Sequence, residues 1–360
     1  MGAELMQDDR AFEFNATWRE FAPIAFTNLL LIIVTLGGYR FWAKTRERRF
    51  LWSRTRFIDE RLEWTGTGFE LMIGFALAFV LFILPTFLLS LAFQGAILRG
   101  HPGLVGLVML FLYPWLYFLV GVARFRALRY RLSRTLWRGI RGGSDDNGVA
   151  YGLEYLWRSL VGILAIGFMV PWSMTTLWNK RWDAMSFGSE SFGAHADWRP
   201  VIGRYLLFYA MPFILVILGF VIAIIGASTG AASGGSMGLS LPHMLIFALI
   251  LLFYPVLGLI AAAFYAAYAR ETVGHTHWAG LDFAFDARTK DWIKFALGSF
   301  FLVLFTLGIG ALFLGYRNWR FMTNHMQAHG EIDLDRLGQS TTRAPRQGEG
   351  LLDAFDVGAF

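Results

Sequence analysis

Histidines and carboxylates are the first side chains to weigh for chemistry. His275 and His277 flank Thr276, with Asp282 and Asp286 following; on extended backbone both rings of an H-x-H pair face one way, where carboxylates can complete a metal site. His325 and His329 lie four apart with Glu331 close behind, which on a helix stacks two imidazoles. Neither set belongs to a recognised pattern. Met326, Gln327 and Ala328 separate the second pair, without the general base of an H-E-x-x-H zinc site. No nucleophile elbow, phosphate-binding loop, dinucleotide fingerprint or kinase set occurs, and the chain has no cysteine. The residues therefore point away from an enzyme, a cofactor or a resident metal.

Arginine is the other candidate. Arg46, Arg48, Arg49, Arg54 and Arg56 form one cluster, and Arg124, Arg126, Arg129, Arg131, Arg134 and Arg138 another, interleaved with Trp42, Phe50, Trp52 and Trp137 beside apolar segments. Next to an anionic leaflet each basic residue is worth about 1 kcal/mol. Arg46, Arg48, Arg49, Trp52, Arg54, Arg129, Arg131 and Trp137 are accordingly candidate lipid-headgroup anchors, with anionic membrane lipids as the partners. A net charge of +6 and a pI near 9.6 raise nucleic acid as a rival, but no nucleic-acid module accompanies the charge.

The elements that must hold these residues are membrane helices. Of 360 residues 56% are apolar and 16% charged, against about 25% charged in a soluble domain. Stretches near 71–93, 104–122, 202–227 and 241–267 carry no charge in their centres, with Arg204 near the start of the third, and meet the roughly 20 residues that cross a bilayer core of about 30 Å. The absence of ionisable residues from their centres disfavours a carboxylate relay, though Thr86, Ser90, Gln94, Tyr113 and Tyr254 offer a modestly polar path. Three further apolar segments, near 22–39, 159–178 and 295–316, are broken by glycine. The N-terminus lacks the basic n-region and short apolar core of a secretory signal, so the first of them is expected to remain in the mature protein.

These segments resemble one another. A constant shift of 130 brings Gly37 onto Gly167, Trp42 onto Trp172, Thr45 onto Thr175, Trp52 onto Trp182 and Phe57 onto Phe187. A shift of 141 aligns Tyr113-Pro114 with Tyr254-Pro255, Thr135 with Thr276 and Trp137 with Trp278, and Thr35-Leu36-Gly37 recurs at 306–308. The expected organisation is an N-terminal segment (1–20), a first unit (21–139), a second (140–280), a partial third (281–330) and a flexible cytoplasmic tail (331–360).

Counting charges separates two topologies. If all seven apolar segments cross, the positive-inside rule divides the basic residues 21 to 11. If the three glycine-broken segments enter and return on one face, the division is 31 to 1, with Arg99 the exception. Charge and symmetry favour return; the 22 residues between Lys294 and Arg317 favour crossing on length. Short alternating segments at Phe12–Phe14 and 62–64 read as strands, and their pairing would require the first segment to return.

Residues 26–68 carry N-L-L-L from Asn28, T-L-G-G-Y-R-F-W-A-K from Thr35 to Lys44, an arginine cluster and W-T-G ending at Gly66. This run resembles the repeated signature of the YjgN-like bacterial inner-membrane proteins, a family of unknown function. Its signature residues here are Asn28, Thr35, Leu36, Gly37, Tyr39, Trp42, Lys44 and Gly66. The second copy reads AIGFMVPWSM and lacks counterparts of Arg40 and Lys44. The resemblance implies a multi-pass protein of the bacterial inner membrane and brings no activity with it.

The expected fold class is an all-α integral membrane protein of duplicated helical units, with four spanning helices and three glycine-broken segments that are re-entrant or interfacial, or else cross to give seven. The C-terminus is expected in the cytoplasm, and nothing fixes an oligomeric state. The leading function is transport or permeation of a small molecule or lipid, because irregular backbone at membrane depth normally lines a cavity; the alternative is a non-catalytic scaffold binding anionic lipid or a partner protein.

Overall fold

The computed structural model describes residues 3–5, 11–228 and 241–343; the uncharged loop of 229–240 and the tail from 344 lie outside them. Strands β1 (Ala3–Leu5) and β2 (Phe12–Phe14) precede a short helical pair, α1 (Trp18–Val34) and α2 (Arg40–Ser53). Strands β3 (Thr55–Phe57), β4 (Glu60–Arg61) and β5 (Glu63–Trp64) lead into a long pair. Its first arm is α3 (Gly68–Ala78), continued through a π-helical turn at Phe79–Ile83 into α4 (Leu84–Leu98); its second is α5 (Pro102–Arg134). The π-turn just before Pro85 absorbs the lost backbone donor.

The alternation then repeats. Strands β6 (Thr135–Trp137) and β7 (Ile140–Gly143) join the long pair to a second short one, α6 (Val149–Leu164) and α7 (Val170–Asp183). Strands β8 (Ser186–Phe187) and β9 (Glu190–Ala194) lead to α8 (Arg199–Tyr205), α9 (Leu207–Ser228) and α10 (Leu241–Gly274), the second long pair. Strands β10 (Thr276–Trp278) and β11 (Leu281–Phe285) lead to the third short pair, α11 (Thr289–Phe305) and α12 (Leu314–His325), with a 3₁₀ turn at Ile309–Phe313 between them; β12 (Met326–Ile332) follows.

Every strand pairing is antiparallel, in a nine-stranded sheet of order β1-β12-β11-β10-β9-β8-β7-β6-β5 and a three-stranded one of order β2-β3-β4. Two consecutive left-handed residues, Arg138-Gly139 and again Ala279-Gly280, give the hairpin turns whose twist matches their strands. The fold is therefore not all-α. The strands before and after each helical pair lie in one sheet, the three-stranded one for the first short pair and the nine-stranded one for the other four. Each pair, short or long, therefore leaves a sheet and returns to the same one.

Both predicted strands form, but with other partners. Phe12–Phe14 pairs with Thr55–Phe57 across α1 and α2, and Trp64 pairs with Thr135 across the long pair. The tail also differs from expectation over 331–343. Residues 331 and 332 complete β12, and Gln339 then accepts from the Arg141 amide and donates to the Gly139 carbonyl, while the Arg343 amide donates to Asp145. Polar side chains meeting backbone groups of the sheet hold this segment.

Helices long and apolar enough to cross a membrane run over Gly68–Leu98, Val105–Arg134, Arg199–Ile225 and Leu251–Gly274. Phe111, Phe213 and Phe220 are 69%, 70% and 69% exposed on them, the outward apolar surface of a helix solvated by lipid. Thr67 and Glu70 form a capping box at the start of α3, and Glu70 also accepts two bonds from Arg134, at 2.6 and 3.1 Å, and one from Tyr130. That cluster clamps the two arms of the first long pair where they meet the sheet. Neighbouring pairs pack in chain order, α2 on α3, α5 on α6, α7 on α10 and α10 on α11, and the 3₁₀ turn of the last pair packs on α1. The helical pairs thus close into a ring.

Candidate functional site

The signature residues build the first short pair. Thr35 donates its hydroxyl to the Leu31 carbonyl (2.7 Å) and accepts from the Tyr39 amide (2.9 Å), fixing the turn. Leu36 there is left-handed at φ 50 and Gly37 at φ 92, and Ile166-Gly167 and Leu307-Gly308 adopt the same pair of conformations. The Gly37 amide bonds to Ile32 and the Leu36 amide to Ile33, the two bonds of a Schellman motif with leucine where glycine is usual. Asn28 is buried and its amide donates to Ala43 across the pair (3.2 Å); in the second pair Ser173 donates to Arg158 at the corresponding place (2.9 Å). Tyr39 stacks with Trp42, Lys44 lies 3.6 Å from Glu47, and a Cβ on Gly66 would strike the Trp64 ring. These residues shape a hairpin and form no chemical centre.

The predicted anchors divide. Arg46 and Arg49 are exposed, and Arg54 pairs with Glu20 at 3.0 Å. Arg129 is partly buried and donates to the Asp146 carbonyl, and Arg131 is partly buried beside it. Arg48, Trp52 and Trp137 are buried. Arg48 lies over the Trp64 ring, Trp52 stacks on Trp319 with centroids 4.0 Å apart, and the Trp137 indole donates to the Phe57 carbonyl (2.9 Å). The latter three hold the sheet against the helices and do not face outward.

Three arginines line a cavity, of which the sequence points to Arg124 as part of a basic cluster and to neither Arg158 nor Arg181. This space of about 1050 Å³ is bordered by the first long pair (Tyr117, Arg124), the second short pair (Tyr151, Arg158, Gly167, Arg181), the second long pair (Tyr265, Tyr268), the third short pair (Trp292, Met322) and strand residues Phe12 and Phe57. It sits inside the ring of helices and touches the glycine turn of the second short pair. Among the described residues its border includes three arginines and no aspartate, glutamate, lysine or histidine. Thr86, Ser90, Tyr113 and Tyr254 lie elsewhere: the first two bond back to their own helix, and the tyrosines are exposed on the outside.

The arginines differ in how they are satisfied. Arg158 bonds Glu154 (3.0 Å) and lies over Trp172; Arg124 donates to the Tyr155 hydroxyl at 3.4 Å, and its Nε is buried without a partner. Arg181 is 6% exposed, lies over Trp178, and its Nε also lacks a partner. Among the described residues no carboxylate pairs with Arg181. Burial disfavours its charged form, and nearby Arg124 and Arg131 add to that effect while the hydroxyls of Tyr151 and Tyr268 oppose it; an arginine nevertheless keeps its proton in proteins. Burial likewise pushes the Tyr151 hydroxyl up, against the pull of Arg181 and Arg124. The site is a buried positive charge facing a chamber walled by aromatic and aliphatic side chains.

A signal for it existed. The shift of 130 sets Arg181 against Leu51 and Arg158 against Asn28, and the shift of 141 sets Arg124 against Tyr265. Charge thus stands in one copy where the aligned position of the other has none. The histidines are dispersed by contrast: His275 Nδ1 is 3.2 Å from Glu271, His277 faces His195, and among the described residues no group of three or more His, Asp or Glu side chains is placed to hold a metal.

Comparison with known proteins gives one family and one short likeness. The sequence model of a family described as bacterial protein of unknown function (DUF898) matches residues 9–354. The inner membrane protein YjgN of Salmonella typhimurium is 29% identical over 91 residues, 25% of this chain and 21% of that protein, so the match spans about a fifth of the relative's length. No solved structure matches.

Proposed function

The chain belongs to this family of bacterial proteins of unknown function, and from that premise we propose a multi-pass inner-membrane protein that admits a small molecule or lipid to its central cavity, for transport or permeation. One observation carries the reading: a chamber of about 1050 Å³ bordered by both long pairs, two short pairs and a glycine turn, a size suited to an organic ligand. A scaffold has no need of such a space.

Two features support the membrane placement. The similar protein bears an inner-membrane name, and four helices are long and apolar enough to cross. With the sheet in the cytoplasm, 31 of the 32 basic residues fall on that side and Arg99, at the far end of α4, on the other, in accord with the positive-inside rule. The short pairs then dip into the membrane and return, the C-terminus is cytoplasmic, and 21–139 and 140–280 act as parallel copies with a partial third. The test is extraction into native-lipid nanodiscs followed by mass spectrometry of bound molecules. A small molecule or lipid held in fixed ratio and lost when Gly162→Phe fills the cavity is the expected result; a ratio unchanged by that substitution counts against the cavity.

A further inference from the structure

The chemistry of the cavity wall specifies a ligand class, given the proposal that the cavity is the functional site. Its bordering residues carry three arginines and no acid. Of these, Arg158 is already matched by Glu154. Arg181 and Arg124 remain, each with a buried Nε that no protein atom accepts from. Isolated buried charge is costly, so a fold that keeps Arg181 at 6% exposure without an acid among the described residues calls for an anion. Arginine's planar fork matches the paired oxygens of a phosphate.

The rest of the wall is unsuited to a small inorganic ion. Leu128, Met174, Leu177, Trp182, Phe192 and Trp278 also border the space, and a free phosphate would leave most of about 1050 Å³ without polar contact. Depth gives the second argument. Arg124 lies ten residues before the end of α5, about 15 Å along the axis from the sheet at 1.5 Å per residue. The uncharged run of 104–122 just before it fills a hydrocarbon core of about 30 Å. Arg124 therefore stands at the level of the headgroups of the leaflet nearer the sheet.

We infer that the cavity binds the phosphate head of an anionic lipid, gripped by Arg181 and Arg124, with its acyl chains against the aromatic and aliphatic wall. The shared chemistry is a phosphate group, which a lipid or a soluble phosphate can supply, and the experiment separates the two. Trp178, Trp182 and Trp278 border the cavity, so the protein in detergent is titrated with phosphatidate carrying brominated chains, which quenches nearby tryptophan. Parallel titrations use diacylglycerol with the same chains, and phosphatidate against millimolar inorganic phosphate.

Phosphatidate is expected to quench, diacylglycerol to bind at least about tenfold more weakly, and inorganic phosphate not to displace the lipid. Arg181→Met should weaken phosphatidate binding about tenfold or more and Arg181→Lys by less, while the melting temperature of empty Arg181→Met rises because an unpaired buried charge is gone. Equal binding of diacylglycerol, or unchanged binding in Arg181→Met, overturns the anion assignment and leaves the cavity as a lipid site. Displacement by inorganic phosphate overturns the lipid assignment. A fall in the melting temperature of Arg181→Met marks a structural arginine and overturns the proposal. Quenching by neither lipid removes the cavity reading itself.

Discussion

An indole N–H left without an acceptor in an apolar core costs about 1–3 kcal/mol. Trp52 donates to Thr135 (2.9 Å), Trp178 to Thr276 (3.2 Å) and Trp319 to Thr55 (2.8 Å). Each threonine begins the first strand after a helix and has already given its proton to the carbonyl four residues back, in Arg131, Thr272 and Leu51. Its lone pair is thus aimed at the indole. Thr135→Val keeps the shape and strands the Trp52 N–H, so denaturant unfolding should show a loss of about 1–3 kcal/mol. Combined with Trp52→Phe the loss should fall short of the sum of the two single losses; additive losses would mean that the bond contributes nothing. Backbone strain at the turns is a second residue-level effect. Leu36 is 96% exposed with φ 50, a conformation that costs an L-residue roughly 1–2 kcal/mol. Leu36→Gly should therefore raise the melting temperature and Gly37→Ala, at φ 92, lower it, each by an equivalent of about 1 kcal/mol. Shifts of the same sign would refute this account of the turn.

At the scale of elements, legibility followed length. The long helices announce themselves because some 20 uncharged residues have few other uses, and the stretches at 71–93 and 241–267 fall within Gly68–Leu98 and within α10, Leu241–Gly274. Strands such as Glu63–Trp64 are two residues long and paired with Thr135 some 70 positions away, so no local period reveals the partner. The alignment that placed Trp52 on Trp182 likewise hid the equivalence of indole bonds, because Trp178, one helical turn earlier, makes the bond in the second copy. Arg181 is not legible as a site, since a basic residue beside tryptophans reads as an anchor until its burial is seen. The return of the short pairs is testable through strand register. Glu13 faces Arg56 with an ion pair at 3.1 Å. Glu13→Cys with Arg56→Cys should cross-link readily under mild oxidation in membranes, whereas Glu13→Cys with Gly100→Cys, which sits in the far loop, should not. If the first pairing fails to cross-link while impermeant reagents label the two positions from opposite sides, the first apolar segment crosses.

For the molecule as a whole, the sheet is what converts separate helical pairs into one body. Helices in lipid gain nothing from burying apolar faces against one another that lipid tails do not already offer, so association must come from packing and from hydrogen bonds made outside the hydrocarbon. Here those bonds are the β ladder and the Trp–Thr links, and both close the ring at its seam. Strand β12 lies between β1 and β11, Tyr316 donates to the Ala16 carbonyl (2.8 Å), and Phe21 stacks on Tyr316 at 5.4 Å. The chain's first and last helical pairs are thereby joined across some 300 positions. Ending the chain at His325 removes an interior strand and exposes the edges of β1 and β11, which should abolish a cooperative melting transition and leave the cavity, whose border includes Trp292 and Met322 from the last pair, unable to retain its ligand. Among the described residues, ending it at Gly338 removes the bonds of Gln339, Thr342 and Arg343 to Arg141, Gly139 and Asp145; at about 1 kcal/mol for each bond the cost should be a few kcal/mol, short of global unfolding. Hydrogen exchange at Leu281–Phe285 separates the two, with loss of protection in the shorter chain and near-native protection in the longer one. Equal protection in both would show that the helices hold together without the seam.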